Sequence, residues 1–466
     1  MVVRVLAALL AWCVLAGVGA AEPLTGTVSL DQCLQVALAT HPDLVMADAD
    51  VEAAGQRVRQ VRSGLLPQVS GLYSFTRQEQ SLSSLIGGPS GGGALGVCVG
   101  GTNPGTLCAN DTNCPGGGTC QLPSIDTSAR FNFHRSGFTA TQLLFDFGQR
   151  INETRAAREE REATGARRDS TQDAVVLNVK ASYYNLIAAR RLLTVAEETE
   201  DQTRRQLDEA RSRYEVGTAP RFDVTQQEVQ VADAELARLT SVNAVALSRE
   251  NLRDAMGLVE PIVFEPDDQS LDYVRIGLDD ETAMAQAFAH RPEMLDVQAR
   301  VRAQERTIAA LKADYLPAVN GAGSYNWTGQ DRPEDESWVV GANITLSIFN
   351  GGLTTARVGE GRAALHRLEG EERRVSQIVR LDVRRALLDL REAEDSIRVA
   401  EKQVEQARES LDIAEGRYSA GVGNVLEVSD AQVGLFRARA NNVRKLADYW
   451  ISVARLERAI GARLDT

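Results

Sequence analysis

Four cysteines in one glycine-rich stretch are the residues whose type and spacing point most directly to chemistry. Cys98, Cys108, Cys114 and Cys120 are separated by nine, five and five residues. These intervals are unlike those of a zinc ribbon, and no histidine lies nearby. We therefore expect two disulfides in an oxidising compartment, with three possible pairings. A metal site is the alternative.

Two acidic residues, Glu427 and Asp430, form a second candidate site. They are three positions apart, so they share a face if this segment is helical. Acids that line a narrow mouth repel anions and favour cations, because a constriction focuses the electric field. The alternative is an ordinary solvated acidic face, since the chain contains 64 Asp and Glu residues.

No combination of residues suggests catalysis. The four histidines, His41, His134, His290 and His366, are widely scattered. The sequence contains no GxSxG motif, P-loop or HExxH motif. The net charge of −13 argues against binding to nucleic acid. We expect a protein that is not an enzyme and that carries neither a cofactor nor a metal.

The N-terminus is typical of a secretory signal. Arg4 precedes an apolar core at residues 5–18, and the small residues 18–20 predict cleavage before Ala21. Cys13 raises the question of lipidation, but Trp12 stands where a lipobox needs a small residue. Beyond the signal, no apolar run approaches the ~18 residues of a membrane helix. Such a secreted protein is either soluble or a β-barrel.

A duplication organises the mature chain. Leu66-Pro67 matches Leu316-Pro317 with an offset of 250, and Arg213-Tyr214 matches Arg417-Tyr418 with an offset of 204. The difference, 250 − 204 = 46, indicates an insertion in the first copy. We predict a signal peptide at 1–20, a first repeat at 21–257 with a Cys-rich insert at 80–127, a linker at 258–279 and a second repeat at 280–466.

Each repeat is expected to contain two shorter helices, two strands and two very long helices joined by a glycine turn. The residues 352–418 predict one helix roughly 100 Å long at ~1.5 Å per residue. Its apolar positions alternate spacings of four and three, which is a heptad pattern: Val379, Val383, Ala386, Leu390, Ala393, Ile397, Ala400, Val404, Ala407, Leu411, Ala414 and Tyr418.

The return helices carry apolar stripes of their own. In the second repeat we expect Leu426, Ser429, Val433, Phe436, Ala440, Val443, Ala447, Trp450 and Ala454 to face a neighbouring helix. In the first repeat we expect the same of Phe222, Thr225, Val229, Ala232, Leu236 and Leu239. Cys33, alone on an apolar helix face, is expected to be buried.

The strand segments 69–77, 318–328 and 337–350 alternate with period two, as barrel strands do. Aromatic residues cluster near their ends and predict a membrane-interface belt of Tyr73, Phe75, Tyr325, Trp327 and Trp338. The segment 130–148 fits this alternation only with a bulge, since Phe145 aligns with Phe349 on the opposite face. Four strands cannot close a barrel, so we expect an oligomer.

These motifs resemble those of the TolC outer-membrane efflux family, over residues 28–461 except the insert. The most specific matches are RYEVG at 213–217 and RYSAG at 417–421, each followed by a second short match at 222–224 or 426–428. QLLFDFG at 142–148 and FNGG at 349–352 precede the long helices.

The resemblance implies a mainly α protein with a small transmembrane β-barrel. Three subunits with four strands each would form one barrel of 12 strands, and the long coiled-coil hairpins would form a periplasmic tunnel. The linker 258–279 would lie at the tunnel's waist, and the insert would be an extracellular loop.

As a function, the resemblance implies the exit duct of a tripartite efflux or type I secretion system in the outer membrane. The implied partners are a periplasmic adaptor (membrane fusion) protein, an inner-membrane pump of the RND or ABC type, and outer-membrane lipid. The alternative is a periplasmic coiled-coil scaffold without channel activity.

The resemblance also assigns roles to residues. Glu427 and Asp430 match acidic positions that ring the periplasmic entrance, and Asp223 and Tyr418 match a pair that latches it. A basic residue expected at position 423 is Gly423, so one salt bridge of the family is missing. The implied adaptor-docking residues are Arg213, Tyr214, Gly217, Arg417 and Gly421. Both glycines also suit tight turns, and both tyrosines could simply end a helix seam.

Overall fold

The structure, a computed structural model, describes residues 26–81, 96–108, 110–121, 128–262, 264–329, 333 and 335–464. The expected signal peptide at 1–20, with Cys13, lies outside the described residues. The chain divides into two compact units. The first comprises 155–306, 360–464 and the described residues up to Val58, and the second comprises 59–154 and 307–359.

The described residues form eight α-helices. They are α1 Leu30–Thr40, α2 Pro42–Ser63, α3 Gln149–Glu215, α4 Arg221–Ala255, α5 Asp280–His290, α6 Pro292–Ala313, α7 Leu353–Ser419 and α8 Val425–Ile460. α2 and α6 both begin at a proline, whose fixed φ suits the first position of a helix. No helix among these residues is long and apolar enough to cross a membrane.

The same residues contain nine strands. They are β1 Thr27–Val28, β2 Gln68–Ser81, β3 Gly96–Val99, β4 Leu107–Cys108, β5 Thr119–Gln121, β6 Ser128–Phe145, β7 Glu265–Pro266, β8 Ala318–Gly329 and β9 Asp335–Thr345. The order of two short helices, two long strands and two long helices therefore occurs twice along the chain, as the two offsets predict.

In the first unit, the heptad positions of α7 are buried. Nine of the twelve expected residues are buried, from Val379 and Val383 to Leu411 and Ala414. The other three, Val404, Ala407 and Tyr418, are half-buried. Small residues alternate with larger ones along this seam, which allows neighbouring helices to approach closely.

The expected apolar stripe on α4 is exposed, so it does not pack against another helix of the same chain. The exposed fractions are 50–63 % for Phe222, Val229, Leu236 and Leu239. The buried residues of α4 near its start are instead Asp223 and Gln227. On α8, Leu426 is likewise exposed, and Val425 and Val428 are buried in its place. The periodicity identifies an apolar stripe correctly, but it does not say which neighbour covers it.

The linker is held against the core of the first unit. β7 pairs in parallel with β1. The Tyr183 hydroxyl donates to the carbonyl oxygen of Val28 at 3.0 Å and accepts from the backbone N–H of Asp267 at 3.0 Å. The Tyr449 hydroxyl donates to the carbonyl oxygen of Val274 at 2.5 Å. Two fully buried tyrosines thus fix the linker by hydrogen bonds to its backbone.

In the second unit, four strands form an antiparallel sheet in the order β2-β6-β8-β9. The register places Tyr73, Ser136, Trp327 and Glu336 in one row across the sheet, and Gly71, Phe138, Tyr325 and Trp338 in the next. Paired residues of an antiparallel sheet project to the same face. All five expected belt aromatics, counting Phe75 on the same face of β2, therefore share one side.

Two details of the sheet differ from simple alternation. The register of β6 against β8 shifts between Leu143 and Phe145, which is the bulge that the sequence requires. It brings Phe145 opposite Val319, on the aromatic face. β9 ends at Thr345, so the expected strand over 337–350 is too long and Phe349 lies beyond it.

The Cys-rich insert forms a three-stranded sheet in the order β4-β3-β5. One disulfide joins Cys98 to Cys114 and another joins Cys108 to Cys120. The two expected disulfides are therefore present, with a pairing that the spacing alone left open. Cys33 is fully buried, and its burial raises the pKa of the thiol to about 12.

Candidate functional site at the hairpin tips

Two short turns join the long helices, and both lie in the first unit. Gly217 follows α3 with φ of 77°, and Gly421 follows α7 with φ of 72°. In each turn a backbone N–H returns to the helix: Thr218 donates to Arg213 at 2.9 Å, and Val422 donates to Arg417 at 3.0 Å. A positive φ is unstrained only for glycine, so both turns need that residue.

Asp223 and Tyr418 meet, as expected. The Tyr418 hydroxyl donates a hydrogen bond to Oδ2 of Asp223 at 3.2 Å. Asp223 is 8 % exposed and lies in the first turn of α4, where the helix dipole favours a negative charge. Burial, followed by the charge of Asp223, raises the pKa of Tyr418, which keeps the hydroxyl protonated and able to donate.

Arg213 completes this contact from the other tip. Its guanidinium carbon lies 4.8 Å from the centre of the Tyr418 ring, in cation–π geometry. Its Nη1 donates to the carbonyl oxygen of Tyr418 at 3.4 Å, and its Nη2 pairs with Glu209 at 2.6 Å. Arg213, a residue expected to serve docking, therefore contacts both the ring and the backbone of Tyr418.

The two candidate entrance acids have different surroundings. Nε of Arg417 pairs with Oε2 of Glu427 at 3.1 Å, and both side chains are about half exposed, at 53 % and 47 %. Asp430 is exposed and has no ion pair within the described part of the chain. Glu427 thus has a counter-charge, whereas Asp430 presents its full charge to solvent.

Gly423 is constrained by a close approach. A Cβ atom at this position would lie 2.9 Å from the carbonyl carbon and the Cβ of Arg417. Real Cβ atoms do not approach backbone so closely, so any side chain here requires the turn to move. The turn as it stands therefore needs glycine at this position, and the cation beside Tyr418 is Arg213.

Sequence reasoning missed a group of buried amides near Tyr418. Gln227 and Gln432 are 2 % and 5 % exposed. Nε2 of Gln227 donates to Ser429 at 3.4 Å, and Nε2 of Gln432 donates to Gln206. Gln206 in turn donates to Glu415 at 2.9 Å. The available signal was glutamine on the buried face of a helix.

Gln206 and Gln227 border a cleft of about 580 Å³ that is lined by residues of α3, α4, α7 and α8. The Oε1 atoms of Gln227 and Gln432 are buried without a hydrogen-bond partner among the described residues. A buried polar atom without a partner costs free energy, whereas apolar contacts do not have this penalty. These two oxygens therefore lower the stability of the helix packing near the tips.

The remaining expected residues do not join this site. Tyr214 is 47 % exposed, unlike its counterpart Tyr418. The five expected belt aromatics and the four disulfide-bonded cysteines belong to the second unit. The sulfurs of Cys98, Cys108 and Cys114 are close enough together to suggest a metal site, but each is committed to a disulfide.

A duplicated helical chain with very long hairpins, a four-stranded antiparallel sheet and polar hairpin tips defines the class of outer-membrane channel proteins. The family model for outer membrane efflux proteins matches residues 33–258 and 283–462, and the chain belongs to this family. It is an outer-membrane protein.

Individual relatives are similar over most of their length. The outer membrane protein TolC of Escherichia coli is 24 % identical over 464 residues, covering 93 % of this chain and 82 % of the relative. TolC of Vibrio cholerae is 23 % identical over 364 residues, covering 73 % and 82 %. The fold matches the CmeC outer membrane channel of Campylobacter jejuni with a TM-score of 0.73 at 16 % identity, covering 96 % and 90 %.

Proposed function

We propose that three copies of this chain form one outer-membrane exit duct. The observation that carries the proposal is the sheet of the second unit. Within the described residues, β2 and β9 each have one strand neighbour. Aromatic and aliphatic side chains on both strands are exposed. Lipid cannot satisfy open strand edges, so the sheet must close with copies of itself. Three copies of four strands give a barrel of 12.

The helices support the same assembly. The stripe on α4 exposes Phe222, Val229 and Leu236 at heptad spacing, and such a stripe needs a lateral partner. α3 and α7 each contain 67 residues, which corresponds to roughly 100 Å of helix. Side-by-side packing of these hairpins in a trimer forms a periplasmic tunnel.

The domain arrangement follows from the duplication. The signal peptide 1–20 directs export. The first repeat 21–257 and the second repeat 280–466 each supply one strand pair and one long hairpin. The linker 258–279 surrounds the waist of the tunnel. The insert at 80–127 lies between β2 and β6 and forms an extracellular loop, in which the disulfides compensate for a core too small to fold alone.

The belt aromatics mark the barrel's membrane interface. Tyr73, Phe75, Tyr325, Trp327 and Trp338 share one face of the sheet, and this face contacts outer-membrane lipid. The Tyr325 hydroxyl and the Trp327 indole both donate to Glu336, at 2.7 and 3.3 Å. A carboxylate among the ring edges suits the boundary between apolar lipid and water.

The hairpin tips form the periplasmic entrance. The contact of Tyr418 with Asp223 and Arg213 holds the two hairpins together and keeps the entrance narrow. Glu427 and Asp430 ring the opening in three copies and favour cations. The exposed Tyr214, together with Arg213, Gly217, Arg417 and Gly421, contributes to docking of a periplasmic adaptor. An inner-membrane pump of the RND or ABC type supplies the substrates.

Single-channel conductance in a planar bilayer tests this function directly. We expect the mature protein to give a small, cation-selective conductance. In the double variant Glu427→Gln/Asp430→Asn the selectivity should fall, because six acidic groups per trimer are lost. The control is Glu392→Gln/Asp395→Asn, which removes the same two charges at the same spacing from exposed positions of α7.

The outcomes separate the parts of the proposal. Conductance without a change in selectivity retains the channel and moves the selective ring elsewhere. Absence of conductance, together with recovery of the protein from the soluble periplasmic fraction, would instead indicate the scaffold function.

A further inference from the structure

A second polar cavity lies in the first unit, away from the hairpin tips. It has a volume of about 240 Å³, several times the ~30 Å³ that one water molecule occupies in the liquid. Leu177, Ala386 and Ala459 form its apolar part. Its charged lining consists of four arginines and two aspartates: Arg291, Arg385, Arg455, Arg458, Asp382 and Asp389.

Arg291 is the buried member of this cluster. Its side chain is 8 % exposed. Nε pairs with Glu293 at 3.1 Å and Nη2 pairs with Asp382 at 2.8 Å. Nη1 is buried and has no hydrogen-bond partner among the described residues. A guanidinium N–H that has lost water without gaining an acceptor is costly, so an acceptor that reached Nη1 would stabilise this side chain.

The other three guanidiniums add positive charge without internal pairing. Arg385, Arg455 and Arg458 make no ion pair within the described residues, and they are exposed or half-exposed at the edge of the cavity. Two further acids, Asp173 and Glu293, lie nearby, and Glu293 is already paired with Arg291. The lining itself has four cationic groups against two carboxylates, and Asp173 and Glu293 bring the neighbourhood to four of each; three of the four guanidiniums have no ion pair within the described residues.

We propose that this cavity is a binding site for a small oxyanion of the phosphate or carboxylate class. Planar guanidiniums present paired N–H donors that match two oxygens of such an anion. Nη1 of Arg291 supplies the buried donor, and Arg385, Arg455 and Arg458 supply charge at the opening. The site is separate from the entrance and does not depend on the channel function.

The first repeat does not contain an equivalent cluster. With the offsets of the duplication, the positions of Arg291, Arg385, Arg455 and Arg458 correspond to His41, Ala181, Asn251 and Asp254. The counterparts of Asp382 and Asp389 are Asn178 and Asn185. The arginines are therefore not required by the repeated architecture itself, since the first copy of the same fold forms without them.

Calorimetric titration of inorganic phosphate into the detergent-purified mature protein tests the site. We expect saturable binding to the wild type. Arg385→Gln and Arg455→Gln should each weaken affinity by about tenfold, as expected for the loss of one charge-assisted contact. Both residues are exposed, so their replacement does not disturb the core.

Arg384→Gln is the matched control. Arg384 is the neighbouring exposed arginine on α7 and lines a different surface. It should bind phosphate as the wild type does. Absence of phosphate binding to the wild type, or an equal loss in Arg384→Gln, would overturn the proposal, the latter because it indicates general attraction by surface charge.

A second probe distinguishes a free anion from a lipid headgroup. Phosphatidylglycerol in phosphate-free bicelles should not displace bound phosphate if the site takes a free anion. Displacement that Arg385→Gln abolishes would identify the same site as a receptor for a headgroup phosphate.

Discussion

At the first hairpin tip, Tyr214 is exposed, whereas its counterpart Tyr418 at the second tip is hydrogen-bonded to a buried carboxylate. The acids differ in the opposite sense. Asp223 of the first tip is buried, and its counterpart Glu427 is about half exposed. The hydrogen bond between the tips therefore takes its acid from one repeat and its tyrosine from the other, although each repeat contains both.

The arginines beside these residues also make different contacts at the two tips. Arg213 stacks on Tyr418 across the two tips, and Arg417 pairs with Glu427 within its own tip. The turns differ as well. Asn424 caps α8 by accepting from Leu426 N–H at 3.2 Å, whereas Pro220 at the start of α4 has no side-chain cap. Duplication thus gave two similar tips, and the equivalent residues of the two tips have different contacts.

The sharpest test of the comparison is to remove the same hydroxyl from each tip. Tyr418→Phe leaves the buried Asp223 carboxylate without its donor. We expect the closed state to lose about 1.5 kcal/mol, which raises the open population roughly tenfold. Tyr214→Phe should leave single-channel conductance unchanged. Equal effects of the two substitutions would mean that the tips are equivalent.

The hydrogen bond between Tyr418 and Asp223 should also depend on pH. The pKa of Tyr418 is raised above its usual value of 10.0, chiefly by burial and next by Asp223. Its contribution is therefore complete below pH 10 and is lost as the pH rises through the raised pKa. We expect conductance to increase in alkaline solution above pH 10 in the wild type. Tyr418→Phe should lack this increase, while the other tyrosines remain as an internal control.

The close approach of Gly423 to Arg417 in the second turn can be tested with one methyl group. Gly423→Ala places a Cβ against the backbone of Arg417, and we expect the tip to lose about 1 kcal/mol. Gly434→Ala, in the middle of α8 with open space around it, should instead stabilise its helix by about 0.5–1 kcal/mol. Hydrogen exchange of the peptides 417–427 and 428–440 measures each effect. Slower exchange at the tip of Gly423→Ala would contradict the close approach.

The smallest effect concerns the ion pair of the second tip. Arg417→Gln removes the counter-charge of Glu427, so the preference for cations should increase. Both side chains are about half exposed, and such pairs contribute less than about 1 kcal/mol, so the change in the permeability ratio should stay below about fivefold. Arg408→Gln, an exposed arginine of the same helix, is the control. A fall in cation preference would show that Glu427 does not face the conducting path.

Much of the fold follows from the sequence because it is set by local chemistry. Heptad spacing predicts α7 to within a residue at each end, since an apolar stripe and a terminal glycine define a helix by themselves. Period-two alternation predicts β2 and β8 for the same reason. The alternation also requires the bulge in β6. Without it, Phe145 would lie on the face opposite to Phe138 and Tyr325.

Tertiary structure decided which of the equivalent residues meet. Asp223 and Tyr418 are 195 positions apart, and repeat spacing alone offers Tyr214 with Glu427 equally well, so that only the family resemblance pointed to the pair that is hydrogen-bonded. The disulfide pairing, the exposure of the α4 stripe and the arginine cavity were decided at the same level. Each depends on which surfaces of distant helices or strands come into contact, and therefore on burial and hydrogen bonding summed over the whole packing arrangement. Local propensity acts over a few residues and cannot distinguish two repeats that share it.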